Sequence, residues 1–290
     1  MFDRRRVMVA VAVTVLLWSS AFVAIRIALT GFGVYGQVVG RLLMASLVLA
    51  LAAPLLHVRM PARHDLPRIV WCGLTGMTAY QLLLNAGERS VPAGTASLLI
   101  KTSPVIAAVL AVLVLREPLH RHSIFGLALG FAGASVIALS QGDGLTPSLD
   151  AGYVVGAALA QASFFVAQKP LLSCYSGIEV TCHATWLGTI LSLPLMPDLI
   201  RAVPHVSTAA AWALLYLGVG PSALGFATWA YALARLPVAA AANTLNLVPF
   251  LAIGIGWAAL GESIHSAALA GGLMILIGVT VGRQRGGITR

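Results

Sequence analysis

A lysine interrupts a long apolar run in the first half of the chain. The run TASLLIKTSPVIAAVLAVLVL covers residues 95–115 and carries Lys101. A charged side chain in the centre of a bilayer costs at least about 2.5–3.5 kcal/mol, so it needs a compensating interaction. The ammonium group can bind an anionic ligand in a water-filled cavity, or it can donate hydrogen bonds to backbone carbonyls and hydroxyls. Both interpretations are open from the sequence.

Four basic residues fall inside apolar runs, and they differ in depth. Arg26 and Lys169 lie about one turn from the end of a run, where long side chains extend to the membrane surface. At 1.5 Å per residue, Arg41 is roughly 9 Å and Lys101 roughly 12 Å deep. The nine acidic residues all lie at the ends of runs or in connections. We therefore expect no carboxylate partner for Lys101 and favour an anionic ligand.

Other polar side chains in the apolar runs could share a small-molecule site with Lys101. Such sites have mostly apolar walls and a few polar groups. Taken singly, each of these other side chains fits an interhelical hydrogen bond better than a substrate contact. The candidate binding residues are Lys101, Trp18, Ser20, Tyr80, Gln81, Gln161, Ser163, Asn243 and Asn246.

Two prolines and two glutamates complete the candidate functional residues. Pro104 and Pro249 lie within apolar runs, where proline removes a backbone hydrogen bond, so they predict either static kinks or hinges. Glu117 and Glu262 follow apolar runs and are expected to cap or orient the next helix rather than to couple protons. No HExxH motif, aspartate pair or serine–histidine arrangement is present in these runs. We therefore predict no catalytic residue, no metal site and no cofactor.

The composition predicts an all-helical membrane protein. Of the 290 residues, 59% are hydrophobic and 9% are charged, against about 25% charged in soluble domains. A transmembrane helix needs about 20 apolar residues. The ten predicted spans are 7–29, 35–56, 69–88, 93–115, 124–140, 152–172, 179–196, 210–233, 238–260 and 266–282.

The net charge of +9 fits membrane topology better than nucleic-acid binding. Cytoplasmic connections of membrane proteins are enriched in arginine and lysine. With the N-terminus inside, twelve arginines fall on the cytoplasmic side and two, Arg89 and Arg201, on the opposite side. Both termini are therefore predicted to be cytoplasmic.

The chain repeats itself. The segment that begins at Pro92 aligns without gaps to the segment that begins at Pro237, and the alignment pairs Lys101 with Asn246. The further coincident pairs are Pro104/Pro249, Glu117/Glu262, His120/His265, Gly126/Gly271 and Gly133/Gly278. Residues 1–147 and 148–290 thus form two halves of five predicted spans. Because five is odd, the second half is expected to have inverted topology, as in secondary transporters with a substrate site near the midplane.

The motif WSSAFVAIR of the first span and the pattern Pro…Pro…Glu…Gly…Gly in both halves resemble the EamA type of the drug/metabolite transporter superfamily. The resemblance extends over essentially the whole chain. It implies a ten-helix exporter of amino acids or of other small metabolites in a bacterial inner membrane. Aromatic amino acids are added to the candidate substrates by four aromatic residues in the spans, Trp18, Tyr80, Phe165 and Trp229. The sequence has no nucleotide-binding motif, so no ATPase subunit is expected. A monomer is expected, and a dimer is left open.

Three alternatives are kept. Arg26, Arg41 and Lys101 could converge on a larger organic anion, or the substrate could be a drug. An intramembrane enzyme and a receptor subunit are disfavoured, because the connections are short and catalytic motifs are lacking. The absence of a carboxylate at membrane depth leaves proton antiport, exchange and facilitated diffusion equally open.

Overall fold

The computed structural model describes residues 2–115, 121–140, 148–233, 245, 247–263 and 266–283, and these contain helices and turns but no strand. The predicted all-α class is therefore confirmed. Within the described residues, four helices are long and apolar enough to cross a membrane: Arg5–Ala52, Leu149–Ser173, Gly177–His205 and Thr208–Trp229. The predicted count of ten is not reached by this criterion, because two predicted spans are fused and others are interrupted.

The first two predicted spans form one helical run with a corner. Helix α1 covers Phe2–Ala52, and Gly33 inside it has φ 60° and ψ −173°. Glycine adopts a positive φ without steric cost because it has no Cβ. The 48 residues of Arg5–Ala52 are about 72 Å long at 1.5 Å per residue, enough for two crossings. Gly33 therefore replaces the loop that was predicted between the spans.

The third and eighth predicted spans each contain a π-helical segment. In the third, α2 (Leu66–Cys72) and α3 (Tyr80–Gly87) flank the π segment Gly73–Ala79. In the eighth, the π segment Gly218–Leu224 follows a helix in the same way. Gly73 and Gly218 correspond in the alignment that pairs Pro92 with Pro237. Both wide turns thus start at the same repeat position, and π turns are frequent at functional sites.

The fourth predicted span is broken at the lysine. Helix α4 (Ala93–Ile100) ends at Lys101, and α5 begins two residues later and covers Ser103–Leu115. Pro104 is the second residue of α5 and not a residue of a helix interior. A proline is tolerated in the first turn, where its missing N–H is not needed. The break therefore precedes the proline, which differs from the kink predicted at Pro104.

Eight further helices complete the described part of the chain. They are α6 (Arg121–Ser140), α7 (Leu149–Gln168), α8 (Gly177–Ser192), α9 (Met196–Ala202), α10 (Thr208–Leu217), α11 (Gly225–Leu233), α12 (Leu247–Leu260) and α13 (Ser266–Arg283). Pro249 is the third residue of α12, so it also lies in a first turn. Gly261, with φ 66°, ends α12 in the left-handed conformation.

Helices α6 and α13 contact each other through glycine backbones. A Cβ placed on Gly271 would lie 2.6 Å from the carbonyl oxygen of Gly133, and one on Gly278 would lie 2.6 Å from that of Gly126. The repeat alignment pairs Gly126 with Gly271 and Gly133 with Gly278. Each contact is therefore the repeat-related copy of the other. Small residues at such positions let membrane helices approach closely.

Two buried apolar clusters hold the polar candidates in place. The larger cluster joins α1, α4 and α7 and includes Ile25, Leu99 and Ala157. The second joins the later part of α1 to α2 and α8 and includes Leu42 and Ile69. The polar side chains described next lie on the same helices, between these apolar contacts.

Candidate functional site

Lys101 connects the two halves of the chain. Its Nζ donates a hydrogen bond to the carbonyl oxygen of Leu245, 2.6 Å away, two residues before α12. The same carbonyl accepts the backbone N–H of Val248 at 3.1 Å, and Pro249, four positions after Leu245, has no N–H to compete with Lys101 for the second lone pair. The bond matches the carbonyl-bonded interpretation of Lys101, while its contact with a substrate stays a prediction. Asn243 and Asn246 lie outside the described residues.

Trp18 is held against the second half by an aromatic group. Its Nε1 donates to the carbonyl oxygen of Pro221, 3.2 Å away, in the second π segment. Its ring centroid lies 5.2 Å from that of Phe226 and 5.7 Å from that of Trp229. These are ordinary aromatic contact distances. Trp18 thus presents an apolar wall where α1 meets α11.

Ser20 and Ser163 make hydrogen bonds between helices. Ser20 Oγ lies 2.6 Å from Tyr216 Oη of α10. Ser163 Oγ accepts a hydrogen bond from Nε1 of Trp71, at 3.0 Å, and that tryptophan is 50% exposed. Both contacts match the interhelical alternative considered from the sequence. A binding role for either serine stays a prediction.

Gln161 lies beside the break in the fourth span. Its Oε1 accepts a hydrogen bond of 2.7 Å from Ser103, the first residue of α5. It therefore links α7 to the segment that starts after Lys101. Tyr80 and Gln81 are the first two residues of α3, and Gln81 is buried. The contact of Gln161 with Ser103 places one further candidate beside the broken span of Lys101, and the described contacts do not join all the candidates in one site.

Sequence reasoning missed Glu88. It follows α3 and is 1% exposed, and it interacts electrostatically with both Arg26 and Arg41. Its position at a span end had suggested a place at the surface, so no carboxylate had been expected near the buried cations. The available signal was spacing: Gln81, Asn85 and Glu88 follow an i, i+4, i+7 pattern and share one helix face.

A second contact between the halves lies near Glu88. Arg26 Nε and Glu262 Oε1 are 2.8 Å apart and form an ion pair. Arg26 Nη1 also donates to the carbonyl oxygens of Glu88 and Val91, at 2.9 and 3.0 Å. Glu262 Oε2 accepts from the backbone N–H of Ala93 at 2.9 Å, so it caps α4 of the other half. The described contacts of Glu262 thus lead to the other half of the chain, while its role at the helix that follows it stays a prediction.

A second ion pair, between Arg59 and Glu179, lies at the end of the helices opposite to the pair of Arg26 and Glu262. Arg59 Nε lies 2.7 Å from Glu179 Oε1, and Arg59 also donates to the carbonyl oxygen of Cys174 at 3.0 Å. Hydrogen bonding to Glu179 raises the pKa of the Arg59 guanidinium. Tyr175 Oη donates to Asp65 Oδ2 at 2.8 Å. Residues 59–65 and 174–179 therefore meet at one end, away from the contact of Arg26 with Glu262.

None of the described residues forms a group of three or more histidine, cysteine, aspartate or glutamate side chains placed to hold a metal ion. The polar and charged side chains of these residues could bind a small molecule. In the structure, the hydrogen bonds described for the candidate residues join helices and segments of the chain to one another.

A known protein family matches both halves of the chain. The EamA-like transporter family matches residues 5–139 and 151–282. The chain belongs to this family. It is thus a multi-pass membrane protein of a transporter family, as the resemblance of its motifs predicted.

Two relatives of the chain carry names that mention amino acids. The chain is 45% identical over 282 residues to the "Probable terminal-alkyne amino-acid exporter" of Streptantibioticus cattleyicolor, and the match covers 95% of each protein. It is 25% identical to the "Probable amino-acid metabolite efflux pump" of Salmonella typhimurium, over 92% of this chain and 91% of that protein. A solved crystal structure aligns with TM-score 0.60 at 17% identity, over 97% of this chain and 98% of that one, which shows a shared fold.

Proposed function

We propose that this EamA-family protein is a secondary transporter that exports amino acids with apolar side chains by alternating access. Two inverted five-helix halves, residues 1–147 and 148–290, move around a site between them. The observation that carries the proposal is that contacts between the halves fall at repeat-related or adjacent positions. The glycine contacts of α6 with α13 and the bond from Lys101 to Leu245 are of this kind.

Ten crossings follow when the interrupted helices are counted as spans. Helix α1 contributes two at its corner, and the pairs α2–α3, α4–α5 and α10–α11 contribute one each. The ion pairs of Arg59 and Arg26 lie at opposite ends, which supports alternating connections. Together with the arginine distribution, this supports two cytoplasmic termini in a bacterial inner membrane.

The substrate class is supported by the relatives' names and by the walls of the site. The relative at 45% identity is named for terminal-alkyne amino acids. The tryptophan and phenylalanine rings around Trp18 suit an apolar side chain. The organic-anion alternative loses support, because Arg26 and Lys101 are engaged with protein acceptors. No ATPase subunit and no cofactor form part of the proposal, and the acting unit is proposed to be a monomer.

Uptake into proteoliposomes tests the proposal. L-propargylglycine, an amino acid with a terminal alkyne, is offered to the purified chain in liposomes, and internal alkyne is measured by azide coupling after washing. We expect saturable uptake that needs the protein and leaves the amino acid unmodified. Empty liposomes are the control. Uptake of sugar phosphates without amino acids would contradict the proposal in favour of organic anions.

A further inference from the structure

Five buried polar residues lie on α1 and at α3. Gln37 and Arg41 are one turn apart on α1, and Gln81, Asn85 and Glu88 share one face of α3 and its end. None of these residues is more than 6% exposed. We name them the Arg41–Glu88 cluster.

The cluster has more hydrogen-bonding capacity than the protein satisfies. Within the described part of the chain, both amide atoms of Gln37 and Asn85 have no hydrogen-bond partner. The same holds for Gln81 Oε1, for Arg41 Nη1 and for both carboxylate oxygens of Glu88. Buried polar groups in proteins nearly always have a partner. A bound molecule or ordered water therefore completes this cluster.

The charges in the cluster select among bound molecules. Arg41 and Glu88 interact electrostatically, yet they form no direct ion pair or hydrogen bond with each other. Arg41 is oriented by Ser222, whose Oγ accepts from Nε at 2.7 Å, while Nη1 stays open. The other charged groups facing Glu88 are Arg26 and Glu262, which pair with each other.

The open guanidinium Nη1 of Arg41 and the open carboxyl oxygens of Glu88 match a ligand that has both an anionic and a cationic group. A ligand with only an anionic group would leave the oxygens of Glu88 without a donor, and a ligand with only a cationic group would leave Nη1 of Arg41 without an acceptor. A buried polar group without a partner is costly, so both cases are disfavoured. A carboxylate on Arg41 and an ammonium on Glu88 would satisfy both groups. The amides of Gln37 and Asn85 offer donors and acceptors to the same ligand.

We infer that the Arg41–Glu88 cluster is the recognition site for the zwitterionic backbone of the transported amino acid. Arg41 binds the α-carboxylate, and Glu88 binds the α-ammonium group. This inference rests on the proposed function and assigns the backbone contacts to residues outside the candidate set of Lys101 and its neighbours. The side chain of the amino acid is left to the apolar walls.

Three ligands that share one side chain and differ in which charged backbone group they carry test the inference. They are L-propargylglycine, its methyl ester, which lacks the carboxylate, and its N-acetyl derivative, which lacks the ammonium group. Apparent affinity is taken from the concentration dependence of the unfolding temperature of the purified chain. For the natural sequence we expect the zwitterion to bind about tenfold to a hundredfold more tightly than either derivative, because each derivative lacks one charge-assisted contact.

The variants assign each charge to a residue. Arg41→Gln should weaken binding of the zwitterion by about tenfold to a hundredfold and leave binding of the ester unchanged. Glu88→Gln should weaken binding of the zwitterion similarly and leave binding of the N-acetyl derivative unchanged. Arg68→Gln and Asp198→Asn remove charges outside the cluster and should change none of the affinities.

The outcomes separate this inference from the proposed function. Equal losses for all three ligands in both variants would mean that the cluster holds water only, and would overturn the inference while transport stands. Absence of both binding and uptake in the natural sequence would overturn the proposed function. If a neutral variant does not fold, Arg41→Lys and Glu88→Asp replace it. The natural sequence provides a test that needs no variant. Equal affinities for the zwitterion, the ester and the N-acetyl derivative would overturn the inference.

Discussion

Lys101 Nζ lies 2.6 Å from the carbonyl oxygen of Leu245, and the bond joins the end of α4 to the residue two positions before α12. The same carbonyl accepts the N–H of Val248 at 3.1 Å, and the residue four positions later, Pro249, has no N–H to add. The second lone pair of this oxygen is thus used by a lysine of the other half. The charge inside the apolar run is therefore compensated by the protein itself.

Lys101→Met should reduce transport of an amino acid and of its amide by the same factor. The methionine keeps most of the side-chain volume and removes the donor to Leu245, a bond to a charged group of about 1.5–3 kcal/mol. The measurement compares uptake of the acid and of the amide by both proteins, with Arg68→Met as control. A loss confined to the acid would contradict the joining role and identify Lys101 as the carboxylate-binding residue.

Pro104→Ala and Pro249→Ala should slow transport severalfold with little change in apparent affinity. Each alanine restores an N–H that can bond to the carbonyl four residues earlier, Ile100 or Leu245, so the helix can extend through the break. Initial uptake rates over a range of substrate concentrations separate the two effects. Pro67→Ala, at the start of α2, is the control. Natural rates in both variants would show that the breaks do not move during transport.

Gly133→Ala and Gly271→Ala should each lower the free energy of unfolding by about 1–3 kcal/mol, because the added methyl group meets a backbone oxygen of the facing helix. Gly254→Ala is the matched control, since a Cβ at Gly254 would meet nothing within 4 Å. That variant should be neutral or slightly stabilising. Thermal unfolding in detergent measures all three. Identical unfolding temperatures would contradict the close contact of α6 with α13.

Cysteine labelling should locate the connections. Cys174 is exposed, while Cys72 and Cys182 are buried, so Cys174→Ser gives a background with little reactivity. In that background Arg89→Cys should react with a membrane-impermeant maleimide in intact cells, and His64→Cys should react only after lysis. Both positions are exposed. The reverse pattern would invert the proposed topology.

The apolar runs and the repeat predicted the helical class and the special positions well. Gly126, Gly133 and their repeat partners were visible in the alignment, since packing needs small residues at fixed spacing. The break at Lys101 was not visible, because the sequence places proline but not the acceptor that lies across the interface. Glu88 was missed for a related reason. Distance from the end of a span predicts exposure only where no other helix covers that end, and here Arg26 and Arg41 face it.

The number of residues in the π-helical segment Gly73–Ala79 sets which side chains of α3 face α1. A wide turn contains one residue more than an α-helical turn. Deletion of one residue would rotate everything after it by about 100° and shift it by about 1.5 Å. The face that carries Gln81, Asn85 and Glu88 would then turn away from α1. Among relatives, a single-residue gap between positions 73 and 79 thus changes the inward face even where every other residue is kept.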